Sequence, residues 1–168
     1  MEEAYKNWRQ DDPRYNMTEA WPAQQFPTAK YRYFRDCGCL VCALAVMLRH
    51  NGIEKTEDEN LFNPWILNTR LIDCGAFLPD ADLELLDISS LYPLEYVGAQ
   101  PYSRDALVQI AKTGSPCLIT VPGNNAYTHF TALYCVLQDD AMVYDPICGE
   151  KMLSSYDRIC EIRVFRTL

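Results

Sequence analysis

The spacing of the hydrophobic residues changes once along this chain, near Gly114, and that change restricts the folds that the chain can adopt. Before this glycine, apolar residues recur at helical spacing. The clearest helical run extends from Cys39 to His50 and is followed by the stop signal Asn51-Gly52. After Gly114, apolar residues occur in short β-rich runs that turn residues separate. Helices first and antiparallel strands second predict an α+β domain.

Residues that start or stop helices delimit the other predicted elements. Asn63 is placed to cap a helix that has Pro64 at its first position and that stops at Cys74-Gly75. Ser103 is expected to cap a further helix, which Gly114 closes. Two shorter helices are predicted at residues 57–60 and 80–88. The predicted strands are residues 94–97, 117–121, 129–137, 141–144 and 159–165.

A length of 168 residues fits one domain with a sizeable core, and a hydrophobic content of 49% is typical of a globular chain. We expect a single domain over residues 1–168 with three parts. Residues 1–35 form an extended lead-in that aromatic side chains anchor, residues 36–114 are mainly helical, and residues 115–168 are mainly β.

The net charge of −8 disfavours binding to nucleic acid through phosphate contacts and adsorption on anionic membranes. No apolar run reaches the roughly 18 residues that a membrane helix needs, so no membrane segment is expected. The charged start has no signal-peptide core, which predicts synthesis in the cytoplasm and leaves later secretion or injection open. Without export, the eight cysteines are expected to be mainly reduced.

Three residues occur in an order that can build a thiol nucleophile, its base and the group that orients the base: Cys39, His129 and Asp145. A helix N-terminus and a neighbouring imidazole both lower the pKa of a thiol, and Cys39 begins a predicted helix. His129 begins one predicted strand and Asp145 ends the next. An antiparallel hairpin therefore brings them to the same edge of the sheet, which predicts acyl-transfer chemistry, with peptide hydrolysis as the first interpretation.

Several segments of the chain, taken in order, carry a family resemblance. They are Gly38-Cys39-Leu-Val-Cys-Ala-Leu-Ala-Val-Met-Leu48, Gly114-Ser-Pro-Cys-Leu-Ile-Thr-Val121, Thr128-His129-Phe130, Tyr144-Asp145-Pro146 with Gly149, Trp8-Arg-Gln10 through Tyr15, and Asn63-Pro64-Trp65 to Gly75. Together they resemble the bacteriocin-processing-like (double-glycine peptidase-like) branch of the papain-like cysteine peptidases. The resemblance extends over most of the chain, from about Trp8 to Gly149.

The resemblance implies a papain-like fold, in which the nucleophile helix packs on a C-terminal antiparallel sheet. It also implies that no cofactor is needed and that the substrate is a peptide or protein, hydrolysed at a peptide or isopeptide bond. Gln10 would donate to the oxyanion together with the backbone N–H of Cys39. The chain departs from the family pattern at Cys42-Ala43, where small polar residues are usual, and at Cys37, which is an alternative nucleophile.

The same residues allow other interpretations. The fold can instead serve a transglutaminase- or deamidase-like effector, or a peptide-binding module without catalysis. Cys39 can be an ordinary buried thiol, His129 a core histidine, Asp145 a turn residue and Gln10 a surface glutamine.

The clustered cysteines and the second histidine could also form sites. Cys37, Cys39 and Cys42 do not form the two paired clusters of a zinc site, so no metal is expected. A redox role for Cys37 or Cys42 is left open. His50 is expected to interact with the C-terminal dipole of its helix.

Overall fold

The fold of the chain, in a computed structural model, is described for residues 4–79, 83, 85–124 and 127–168. Its α-helices are α1 (Phe34–Cys37), α2 (Cys39–His50), α3 (Pro64–Asp73) and α4 (Arg104–Lys112). Its strands are β1 (Leu94–Pro101), β2 (Cys117–Pro122), β3 (Thr128–Val136), β4 (Ala141–Asp145), β5 (Gly149–Met152) and β6 (Glu161–Thr167). They form one antiparallel sheet in the order β1-β6-β2-β3-β4-β5. The predicted α+β class is confirmed.

Helix α2 runs through the centre of the protein. Every residue from Val41 to Leu48 is buried, which agrees with a segment that is apolar on all of its faces. Its most extensive packing is against β3, and it also contacts α3. The first residue of α2, Cys39, is only partly buried. The helix is therefore anchored along its length while its N-terminus reaches the surface.

The two faces of the sheet bury different partners. Leu118 and Ala132 join the large core with α2, α3 and the lead-in. Ile119 and Leu133, the next residues along β2 and β3, pack instead in a smaller cluster with α4. Adjacent residues of a strand point to opposite faces, so this alternation places helices on both sides of the sheet.

The lead-in is anchored by aromatic side chains as predicted, but its backbone is not extended. Trp8 packs on Phe62 and Trp21 packs on Phe77, each with ring centroids 5.6 Å apart. The backbone instead folds into successive hydrogen-bonded turns, such as the bond from the N–H of Phe26 to the carbonyl of Pro22 at 2.9 Å. An extended path would carry these rings away from the core, so the turns bring them back to it.

The start and stop residues set the helix bounds correctly. Helix α2 has the predicted limits, the Asn63 side chain accepts a hydrogen bond from the N–H of Ile66 at 3.0 Å, and Ser103 caps α4. Residues 36–114 are less helical than predicted, because turns and the strand β1 separate the helices.

The secondary-structure predictions that were wrong concern short or polar segments. Residues 57–60 form no helix, since the Asp58 side chain accepts from the N–H of Asn60 at 2.9 Å and holds a turn. The helix predicted at 80–88 is replaced, where the chain is described, by a 3₁₀ turn at Leu85–Ser90, and residues 80–82 and 84 lie outside the described part. The polar strand β5 was not predicted. None of the helices within the described residues is long and apolar enough to span a membrane.

Candidate active site

An open cleft of about 550 Å³ lies at the N-terminus of α2, and three of the four predicted site residues line it. These are Cys39, His129 and Gln10. The fourth, Asp145, is buried with 4% exposure and is hydrogen-bonded to His129. The tertiary structure thus brings together residues from the lead-in, from α2 and from the β3–β4 hairpin.

A close approach of backbone and ring fixes Cys39 at the start of α2. The preceding residue, Gly38, ends α1 by donating its N–H to the carbonyl of Phe34 at 2.7 Å. A Cβ atom at position 38 would lie 2.6 Å from the Phe34 ring, so only glycine fits between the two helices. Because α2 is the longer helix and begins at Cys39, its positive dipole end lies at this thiol.

The β3–β4 hairpin holds His129 against Asp145. Ala132 pairs with Tyr144 in the antiparallel register, which places His129 and Asp145 at the same end of the two strands. The Nε2 atom of His129 lies 2.9 Å from a carboxylate oxygen of Asp145. The ring nitrogen left for the interaction of His129 with Cys39 is therefore Nδ1.

The surroundings of His129 favour its charged form. Burial by itself would lower the pKa of this imidazole, but hydrogen bonds to Asp145 and Cys39, together with their negative charge, raise it to about 9. His129 is 8% exposed, so solvent screens these interactions little. The ring is consequently protonated at neutral pH.

Asp145 is held as a carboxylate by three donors. Burial would raise the pKa of Asp145, but hydrogen bonds from His129, Tyr156 and the N–H of Ile147 lower it well below its usual value. The Ile147 bond measures 2.8 Å, and the Tyr156 hydroxyl donates to the second carboxylate oxygen. Tyr156 was not predicted as a site residue, because it lies outside every segment that carries the family resemblance. Only its contact with Asp145 identifies it.

Gln10 reaches the cleft through the anchored lead-in. Its N–H donates to the carbonyl of Pro146 at 3.0 Å, which ties it to the loop after Asp145. Its side-chain Nε2 donates to the carbonyl of Arg35, while Oε1 is buried without a partner. An amide nitrogen carries two N–H groups, so one remains for another acceptor. This position is compatible with the expected role.

The two neighbouring thiols have less favourable surroundings. Cys37 lines the cleft, but burial, followed by the charges of Cys39 and Asp36, raises the pKa of this thiol well above its usual value. Its sulfur donates to the carbonyl of Tyr33 at 3.0 Å. Cys42 is fully buried in α2, and burial likewise raises its pKa. Neither environment stabilises a thiolate.

The second histidine lies in the last turn of α2, away from the cleft. His50 Nε2 is 2.8 Å from the carbonyl oxygen of Tyr134, so this nitrogen donates, and Nδ1 accepts from the Tyr5 hydroxyl at 3.2 Å. The ring therefore connects α2 to β3 and the lead-in. All eight cysteines are free thiols. In the described part of the chain, no three His, Cys, Asp or Glu side chains are placed to hold a metal ion.

The raised pKa of His129 predicts a loss of stability as the pH increases. In the unfolded chain this ring deprotonates near 6.5, whereas in the folded protein it does so near 9. Between these values the folded state binds more protons. The stabilisation is therefore complete below pH 6.5 and disappears as the pH passes 9, and it amounts to at most about 3 kcal/mol.

Urea unfolding at pH 6, 7 and 8 checks this prediction on the wild type and on His129→Gln. The difference in free energy of unfolding between them is expected to shrink as the pH rises. Taking this difference cancels the contribution of buried thiols such as Cys117, whose pKa burial raises to about 12. A difference that stays constant or grows contradicts the protonated state of His129.

The chain was compared with protein-family models, with curated proteins and with solved structures, and none of them matches it. The chemistry of the site consequently rests on its own geometry.

Proposed function

We propose that this chain is a cysteine peptidase with a papain-like fold, which hydrolyses a peptide or isopeptide bond. The observation that carries the proposal is the series Cys39–His129–Asp145, in which His129 is hydrogen-bonded to Asp145 and interacts with Cys39, with the thiol at a helix N-terminus in an open cleft. The packing of α2 against β3 of an antiparallel sheet supports the papain-like interpretation. A cleft of about 550 Å³ has a size that suits a segment of peptide.

The first step is attack by the thiolate of Cys39. The imidazolium of His129 and the positive end of α2 both stabilise negative charge on this sulfur. The thiolate forms a bond to the carbonyl carbon of the substrate, and the π electrons move to the carbonyl oxygen. We assign the stabilisation of this oxyanion to the N–H of Cys39, which at the first helical position has no acceptor within its own helix, and to the second amide N–H of Gln10.

His129 then moves the protons of the two half-reactions. It donates its Nδ1 proton to the leaving amine as the C–N bond breaks, which leaves a thioester on Cys39. The neutral ring next takes a proton from water, whose oxygen attacks the thioester. The sulfur leaves, the acid product is released, and the ion pair is restored. Asp145 stays ionised throughout and keeps Nδ1 directed at the thiol.

Alkylation of the thiols near pH 6 tests the proposal without knowledge of the substrate. With limiting iodoacetamide and mass-spectrometric mapping, we expect Cys39 to react first, because the imidazolium of His129 and the N-terminus of α2 lie at this sulfur. Cys74 and Cys148 are more exposed and serve as internal comparisons. Burial, followed by the charge of Asp145, raises the pKa of Cys148.

In the same experiment, the variant His129→Gln distinguishes activation of the Cys39 thiol from its simple exposure to solvent. In His129→Gln, the imidazolium is lost and Cys39 is expected to react no faster than Cys74. If Cys39 of the wild type already reacts no faster than Cys74, the proposed activation of this thiol is wrong.

A further inference from the structure

Two tyrosines from different segments of the chain touch in the lining of the cleft. Tyr31 belongs to the lead-in, whereas Tyr127 belongs to the connection between β2 and β3. Their rings meet edge to face with centroids 5.2 Å apart and an interplanar angle of 81°. Both line the same cleft as Cys39 and His129. The contact therefore joins the lead-in to the β2–β3 connection within the lining of the cleft.

A lysine completes this contact and adds a positive charge. The ammonium of Lys30 lies 4.9 Å from the centroid of the Tyr127 ring and 5.7 Å from that of Tyr31. Its interaction with the Tyr127 hydroxyl lowers the pKa of that phenol and raises the pKa of Lys30. We call these three residues, Lys30, Tyr31 and Tyr127, the Lys30 cluster.

The ammonium of Lys30 is the positive charge of the Lys30 cluster. Across the described residues, no carboxylate forms an ion pair with Lys30. Arg35, which also lines the cleft, has the carboxylate of Asp36 at 3.5 Å. In a chain with a net charge of −8, Lys30 is therefore a cation of the cleft that is available to an anionic ligand.

A tight turn fixes the Lys30 cluster relative to the catalytic base. The N–H of Gly123 donates to the carbonyl of Tyr127 at 2.6 Å. A Cβ atom at position 123 would lie 2.8 Å from that carbonyl oxygen and 3.3 Å from the Cβ of His129. Tyr127 stands two residues before His129, so the cluster is close along the chain to the catalytic base.

We propose that the Lys30 cluster binds the free α-carboxylate of a peptide substrate, so that the protein removes residues from C-terminal ends. This proposal depends on the proposed peptidase function. An ammonium and phenolic hydroxyls are donors that suit a carboxylate. A free α-amine would be repelled by Lys30. The C-terminal end is thus the part of a peptide that fits this place.

Matched peptide libraries test the proposal. N-acetylated octapeptides of randomised sequence are prepared with either a free C-terminal acid or a C-terminal amide, and cleavage is followed by mass spectrometry. We expect the acids to be cleaved about tenfold faster or more, because a hydrogen bond to a charged group is lost in the amide. In Lys30→Met the preference is expected to disappear, whereas Lys30→Arg should retain it. Lys55→Met is the control, since Lys55 is exposed and outside the cleft.

The outcomes separate this inference from the proposed function. Equal cleavage of acids and amides overturns carboxylate recognition and leaves the peptidase function standing. If neither library is cleaved, binding of both libraries to Cys39→Ser is compared by affinity selection and mass spectrometry. Preferential retention of the acids, lost in Cys39→Ser with Lys30→Met, supports the site, and equal retention overturns it. The peptidase function is judged independently by the alkylation of Cys39.

Discussion

Replacing Cys39 with alanine is expected to lower the rate of peptide cleavage by at least about 10⁴-fold, because it removes the sulfur that forms the thioester. The rate is measured on the library of N-acetylated peptides with free C-termini. The substitution removes one partly buried sulfur at the start of α2, and alanine favours helix, so the variant should fold. Circular dichroism and the urea midpoint check the fold.

The neighbouring thiol supplies a matched comparison. Cys37→Ala removes a sulfur that also lines the cleft but whose pKa burial raises, so we expect a change below about tenfold. If Cys37→Ala abolished cleavage and Cys39→Ala did not, the nucleophile would be Cys37. If cleavage survives in Cys39→Ala and also in the double variant, neither Cys39 nor Cys37 is the nucleophile.

Replacing Asp145 with asparagine is expected to cause the second large loss, up to about 10⁴-fold in the rate of cleavage. The change keeps the size of the side chain but removes the charge that favours the imidazolium of His129. It also replaces one acceptor oxygen by a donor, so that His129 and Tyr156 can no longer both donate to this side chain. The pKa of His129 should fall from about 9 towards its ordinary value.

Proton NMR titration of the imidazole signals measures this shift directly. The chain has two histidines, and the spectrum of His129→Gln identifies the signal of His129. Tyr156→Phe removes only one donor to Asp145, so its rate should fall about ten- to hundredfold, with a smaller change in the pKa of His129. Tyr102→Phe, in the cluster below α4, is the control. An unchanged pKa of His129 in Asp145→Asn would contradict its role as the orienting residue.

Much of the candidate site could be predicted from the order of the residues along the chain. A helix that begins at Cys39 and a hairpin with His129 and Asp145 at one end are local features. Both follow from hydrophobic spacing and turn residues. The hairpin prediction needed only the antiparallel register, and the observed pairing of Ala132 with Tyr144 agrees with it.

Features that depend on distant partners were not predictable in the same way. The strand β5 is polar and becomes a strand because β4 offers it an unpaired edge. Tyr156 is one of eleven tyrosines, and nothing in its neighbourhood along the chain marks its contact with Asp145. Lys30 and Tyr127 are almost a hundred residues apart in the sequence, so only the fold places them together.

The sequence by itself determined the α+β class, the bounds of α2 and the identity of the residues that can act as nucleophile, base and orienting group. These depend on local spacing and on the chemistry of side chains. The tertiary structure alone decided that Cys39 shares a cleft with His129 and that burial makes Cys37 a less favourable nucleophile. It also decided that Tyr156 contacts Asp145 and that the Lys30 cluster lines the cleft. The physical reason is that burial, charge and hydrogen-bond geometry depend on which distant segments pack together.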